Sequence, residues 1–182
     1  MTEDSLAWTT LESTVSYECP GFAIKTERVR LPDGRETTFD YLAEPPAVVI
    51  LPVTDDEAVV AIQEWRQPVR RTITSLPAGS VEDEDDDLEA AARRELAEET
   101  GYECRTLEYL TAAEPANGVA NSTRHYFVAS GCTPTAERDL DHNESIRVLE
   151  TDLQTLRAQI LGAEPIDSRA ALGVLYYDEH MA

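Results

Sequence analysis

The run Arg94-Glu95-Leu96-Ala97-Glu98-Glu99-Thr100-Gly101-Tyr102, preceded by the turn Leu76-Pro77-Ala78-Gly79, constrains this chain more than any other feature. Side chains three and four residues apart on a helix are neighbours, so a helix here sets Glu95, Glu98 and Glu99 on one face. Carboxylates so close repel one another. A hard divalent cation bound through oxygen, as Mg²⁺ prefers, relieves that repulsion. Asp85, Asp86 and Asp87 offer N-cap side chains, Leu88-Glu89-Ala90-Ala91-Ala92 is strongly helix-forming, and Gly101 supplies a left-handed terminus. The spacing predicts a helix over about residues 87–100. The Pro77-Ala78-Gly79 turn lets backbone carbonyls approach a metal closely. Arg94 is placed to orient its acidic neighbours or to meet an anionic substrate.

An acidic helix is ordinarily a solvated face. The fixed order of Arg, Glu, Leu, Glu-Glu and Gly behind a glycine turn argues for a site instead, whereas the acidic run at 82–87 reads as loop and cap. The whole chain is acidic, with 36 Asp and Glu against 15 Lys and Arg, a formal net charge of −21 and a single lysine, Lys25. That balance disfavours nucleic acid and anionic membranes as partners. It matches adaptation to a salty cytoplasm, where screening reduces self-repulsion. With 182 residues and 42% hydrophobic content, the chain suits one domain with a small appendage. No apolar run is long enough to span a bilayer and no basic-then-apolar leader opens the chain, so a soluble, cytoplasmic protein is expected. Cys19, Cys104 and Cys132 are too scattered for a disulfide framework or a thiolate metal site.

Alternation over 14–18 and 22–31, the turn Pro32-Asp33-Gly34, and a strand over 35–42 predict a small antiparallel sheet. Glu44-Pro45-Pro46 breaks the pattern and divides residues 1–45 from 46–182. Further strands are expected at 47–53, 58–65, 106–112, 124–129 and 146–150. Helices are expected at 152–160, capped by Thr151, and at 167–177.

The acidic segment resembles the Nudix box, G-x5-E-x7-R-E-U-x-E-E-x-G-U with U bulky and apolar. Arg94 to Tyr102 matches the second half at every fixed position, with Leu96 and Tyr102 as U. The first half departs. Counting back from Arg94 puts Asp86 where the family has Glu, and Gly79 then stands one residue too far upstream, as a one-residue insertion explains. Gln63-Glu64-Trp65-Arg66-Gln67, Glu114-Pro115-Ala116-Asn117-Gly118 and Ile166-Asp167-Ser168-Arg169-Ala170-Ala171-Leu172 are similar to the ADP-ribose pyrophosphatase branch. Pro115 stands about where that branch has its marker proline.

The resemblance implies an α/β fold: a Nudix-type α/β/α sandwich with a mixed sheet, plus a small N-terminal antiparallel β-sheet through which such proteins pair as homodimers. It implies Mg²⁺, with Mn²⁺ as a substitute, held by Glu95, Glu98, Glu99 and the Ala78 carbonyl. The expected reaction is hydrolysis of a nucleoside diphosphate linked to a sugar, ADP-ribose first, giving AMP and ribose 5-phosphate. Other nucleotide sugars, a dinucleotide, a catalytically silent nucleotide-binding module and an acidic cation buffer are the competing readings. Glu144 matches the branch's late-entering loop glutamate. It competes with the box glutamates, Glu98 among them, for the role of base, and an exposed loop acid is the bland alternative. Arg66 is a candidate phosphate clamp or a surface ion pair, and Pro115 and Arg94 complete the candidate set. His142 reads as a surface residue and His125 as a packed one.

Overall fold

The computed structural model describes residues 6–163 and 165–180. The expected subdomain ends at residues 1–5 and 181–182 lie outside the described residues, as does residue 164. The chain forms two compact units, one running to Pro45 and including Ala116–Ser122, the other comprising Pro46–Pro115 and the chain from Thr123. The segment Ala116–Ser122 therefore belongs with the smaller unit, not with residues 46–182 as the sequence division has it. Backbone bonds explain this: Leu42 donates to the Val119 carbonyl at 2.9 Å and accepts from Asn121 N–H at 3.1 Å.

The smaller unit is a three-stranded antiparallel sheet, β1 (Thr9–Cys19), β2 (Phe22–Arg30) and β3 (Glu36–Ala43), in that order. The first strand starts earlier than its alternation predicts, because Thr9 and Thr10 pair with Arg30 and Val29. Gly34 takes φ +86° in the β2–β3 turn, a conformation only glycine adopts without strain.

The larger unit is built from β4 (Ala47–Thr54), β5 (Val59–Arg66), β6 (Arg71–Ser75), β7 (Ala78–Ser80), α1 (Leu88–Thr100), β8 (Thr106–Ala113), β9 (Arg124–Cys132), β10 (Ile146–Thr151), α2 (Leu153–Leu161) and α3 (Ser168–His180). Its seven-stranded sheet runs β10-β5-β4-β9-β8, with β6 on β5 and β7 on β4. Only β4 and β9 are parallel, so the sheet is mixed. β4 is apolar on both faces because both are covered. Val49 and Leu51 pack with Leu156, Ile160 and Val174 of α2 and α3. Val48 and Ile50 pack with Ala91, Ala92 and Leu96 of α1. This is the expected α/β/α sandwich. Leu96 is fully buried, and removing such a side chain costs about 2–5 kcal/mol.

The split in the sheet positions the site. β4 and β5 are in register only at Val53↔Val59. Beyond that point β7 takes the edge of β4, from Ala47↔Ser80 to Val49↔Ala78, and β6 takes the edge of β5. β6 and β7 escape the sequence reading because each is short and pairs with a strand that already has a partner. The cap of α2 is also corrected. Asp152 accepts from Thr155 N–H at 2.8 Å, while Thr151 is still bonded into the sheet opposite Val59.

Candidate active site

The helix α1 begins where Asp87 accepts from Ala90 N–H at 2.8 Å and ends at Gly101 with φ +79°. The loop that follows β9 is tied to this end. Ala136 donates to the Gly101 carbonyl at 3.1 Å, Asp139 to the Glu98 carbonyl at 3.1 Å, and Arg138 Nε to the Glu99 carbonyl at 2.9 Å. A guanidinium at a helix C-terminus also meets the negative end of the helix dipole. These bonds bring the loop acids Asp139, Asp141 and Glu144 to a cavity of about 520 Å³ that Glu95, Glu98 and Glu99 also line.

Glu95 and Glu99 are buried and Glu98 is half-exposed, so the turn of helix presents its acids to the cavity at graded depth. Burial pushes the Glu99 carboxyl up to about 8 and that of Glu95 up to about 7. The Ala78 N–H opposes the shift by donating to Glu99 Oε2 at 2.9 Å. Arg94 opposes it at Glu95. Its Nη1 bridges Glu95 Oε1 and Glu98 Oε2, both at 2.9 Å, while Nε and Nη2 hold Asp85 at 3.1 and 2.9 Å and Nη2 also reaches the Ser80 carbonyl at 2.9 Å. Arg94 thus spends its donors on the protein, and the Asp85 bond above all drives its pKa upward.

The partner of Arg94 is Asp85, and Asp86 points into solvent. The one-residue insertion consequently falls between Asp85 and the helix rather than between Gly79 and the acid. Counting forward from Gly79 gives Asp85; counting back from Arg94 gives Asp86. Uniform acidity across 82–87 hides the difference.

Among the described residues, no three His, Cys, Asp or Glu side chains converge as a ready-made metal cluster. The reason is Arg94, which draws Glu95 and Glu98 toward itself, and the Ala78 amide, which holds Glu99. The donor set nevertheless suits a hard cation: three glutamates of one helix line one cavity, and two of them, Glu95 and Glu99, are buried. Gly79 leaves the space for them, because a Cβ there would fall within 3.0 Å of the Glu95 carboxylate.

Arg66, Arg124 and Arg169 line the same cavity. Arg66 Nη2 lies 2.6 Å from Glu64 Oε2, and burial followed by the charge of Arg169 depresses its pKa. Arg169 stands on the first turn of α3 and pairs with Asp167, Nη2 to Oδ2 at 3.0 Å. Burial works against its charge, but the Asp167 bond holds its pKa high. Glu144 is half-buried and shifted upward by that burial; its Oε2 accepts from Asp141 N–H at 3.1 Å. Pro115 is exposed and does not line the cavity, His142 is exposed, and His125 stacks obliquely on Tyr109. Sequence reasoning gave no role to Glu64, Arg124, Asp139 or Arg169. For Glu64 a signal existed, since it shares strand parity with Arg66.

Fold and site together define a class, a pyrophosphohydrolase on an α/β/α sandwich with its acids on one helix. A model of the NUDIX domain matches residues 43–168, and the chain belongs to the NUDIX family. It is 34% identical over 151 residues to the ADP-ribose pyrophosphatase of Bacillus subtilis, covering 82% of this chain and 81% of that one. It is 30% identical over 154 residues to the methanol dehydrogenase activator of Bacillus methanolicus, covering 84% and 83%. Its fold matches a crystal structure of an ADP compounds hydrolase with a TM-score of 0.82 at 20% identity, covering 97% and 96% of the two chains. Nudix hydrolases generally use divalent cations such as Mg²⁺. Among the described residues no helix is long and apolar enough to cross a membrane.

Proposed function

We propose that this chain hydrolyses the pyrophosphate linkage of ADP-ribose, giving AMP and ribose 5-phosphate, with Mg²⁺ or Mn²⁺ as cofactor. The observation that carries this reading is that buried carboxylates on α1 and guanidiniums from β5, β9 and α3 line one cavity. The name of the Bacillus subtilis relative supports ADP-ribose as the sugar nucleotide.

In this reading Glu95, Glu98 and Glu99, with the Ala78 carbonyl, hold the cation. When bound, such an ion neutralises phosphate charge and acidifies a water. Arg66 and Arg169 take the phosphates, since a guanidinium matches phosphate oxygens two at a time. Arg94 keeps Glu95 and Glu98 in place and does not meet substrate. Glu144 accepts the proton of the attacking water at a carboxylate oxygen, a role its raised pKa and cavity position favour. The sheet of residues 1–45 pairs two copies as a homodimer, a reading favoured by the exposed Val15 and Tyr17 on β1 and by Trp8 just before it, each at least half exposed. The protein works in the cytoplasm of a cell rich in salt, which its charge favours.

A panel of ADP-ribose, other nucleotide sugars and dinucleotides, incubated with Mg²⁺ and resolved by product, tests the assignment. AMP and ribose 5-phosphate from ADP-ribose are expected, with Glu99→Gln losing orders of magnitude in turnover. Full activity in excess chelator, or a marked preference for another panel member, overturns it.

A further inference from the structure

A carboxylate as buried as that of Glu64, only 5% exposed, is costly unless its charge is used. The residue sits within β5 with Ile146 of β10 opposite on one side and Ile73 of β6 on the other, so its backbone is held from both edges. Its Oε2 lies 2.6 Å from the Nη2 of Arg66, the next residue on the same strand face. Arg66 and Arg169 line the cavity and Glu64 does not. The carboxylate therefore stands behind the guanidiniums.

A buried ion pair is weak support for stability, because an apolar residue of similar volume often serves the fold equally well. An apolar residue cannot hold a guanidinium at one angle. Burial and the neighbouring Arg169 both work against the charge on Arg66, whereas the field of Glu64 favours the charged form of both arginines. Asp167 already anchors the Arg169 guanidinium through two nitrogens, accepting from Nε at 3.4 Å and from Nη2 at 3.0 Å. Among the described residues, the acid that pairs with Arg66 is Glu64.

We propose that Glu64 is a positioning residue for phosphate binding, fixing the guanidinium of Arg66 from the buried side of β5 so that its cavity edge meets an anionic substrate. This rests on the phosphate role given to Arg66 above. The residue touches no substrate and acts through Arg66.

A double-mutant cycle in the full chain separates this from a merely structural role. Glu64→Ala should raise KM for ADP-ribose about tenfold with kcat within about twofold, the size expected when the coupling within a close ion pair is lost. Glu64→Gln, which keeps an acceptor without the charge, should fall between it and the parent. In an Arg66→Ala background, Glu64→Ala should change KM by less than about twofold, since coupled residues are not additive. Calorimetric titration with inorganic pyrophosphate supplies the same cycle as Kd values, so the result stands even if ADP-ribose is not the substrate. Equal rises in both backgrounds, with matching losses of melting temperature, would assign Glu64 a structural role. A parent-like KM and Kd in Glu64→Ala and Glu64→Gln, or an Arg66→Ala variant that binds pyrophosphate normally, would likewise overturn the proposal.

Discussion

Replacing Gly79 by alanine tests how tightly the fold shapes the acidic end of the cavity. Gly79 lies in β7 opposite Val48, and a Cβ built on it comes within 3.0 Å of Cδ and both carboxylate oxygens of Glu95, closer than real Cβ atoms approach. The strand backbone is held by β4, whereas the carboxylate is the far end of a flexible side chain, so Glu95 gives way. Moving it breaks the 2.9 Å bond to Arg94 Nη1. That bond, between charged partners, is worth about 1.5–3 kcal/mol, part of which Glu95 regains as its buried carboxylate reaches water. A net loss of about 2 kcal/mol follows, which for a domain of this size lowers Tm by roughly 4–8 °C. The functional loss is larger. A displaced Glu95 no longer joins Glu98 and Glu99, and apparent affinity for Mg²⁺ should fall by about 100-fold, the upper range seen when a group that fixes a metal ligand is removed. Initial rates of AMP release across an Mg²⁺ titration, beside thermal melts, read both effects. A folded Gly79→Ala protein with the parent's Mg²⁺ midpoint would refute the reasoning.

The other expectations concern the same carboxylates and the surface around them. Glu144→Gln should lower kcat with little change in KM, the pattern of an interaction made in the transition state; an unaltered rate returns the base role to the α1 glutamates. Glu95 and Glu99 have folded-state pKa values raised to about 7 and about 8 from 4.5. Their contribution to stability is thus fully present below about pH 4.5 and is lost as pH rises through about 8 in metal-free protein. The rise in Tm caused by Mg²⁺ should accordingly grow from pH 5 to pH 9, and a constant increment would contradict the burial argument. Salt should stabilise the fold, because the Debye length shrinks from about 30 Å at 0.01 M to about 3 Å at 1 M. A Tm that is flat or falls with KCl would show that the net charge of −21 has another cause. Light scattering in high salt should report a dimer, and a monomer alone would dismiss pairing through the three-stranded sheet.

The parts of this molecule legible in sequence are those fixed by local rules. The bounds of α1 follow from an N-cap aspartate, a helix-forming run and a left-handed glycine, and they fall within a residue of expectation. Its three acids reach the cavity together because spacing alone dictates it. What stayed hidden depends on non-local pairing. No local signal tells that β6 and β7 fill the edges opened where β4 and β5 part. Nor can composition tell which of Asp85, Asp86 and Asp87 meets Arg94, since an insertion shifts the register and all three are alike. Arg169 is a residue of the last helix until the tertiary fold carries that helix's first turn against the cavity.

The arrangement of charge in the cavity separates the acidity of the surface from that of the site. Arg66, Arg94 and Arg169 are each held by acids: Glu64, then Asp85 with Glu95 and Glu98, then Asp167. In a chain with so few basic residues, concentrating arginines around one cavity is possible only because every one of these three brings its counter-charge. These pairs are buried or half-buried, and salt screens such pairs much less than surface charges. Molar salt that relieves repulsion across the exposed carboxylates therefore leaves the guanidiniums aimed. With the phosphate role proposed for Arg66 and Arg169, the same asymmetry would let an anion be recognised by an enzyme whose surface repels it: long-range repulsion is screened away, while short-range bonds to the two guanidiniums would form inside the cavity, out of reach of most of that screening.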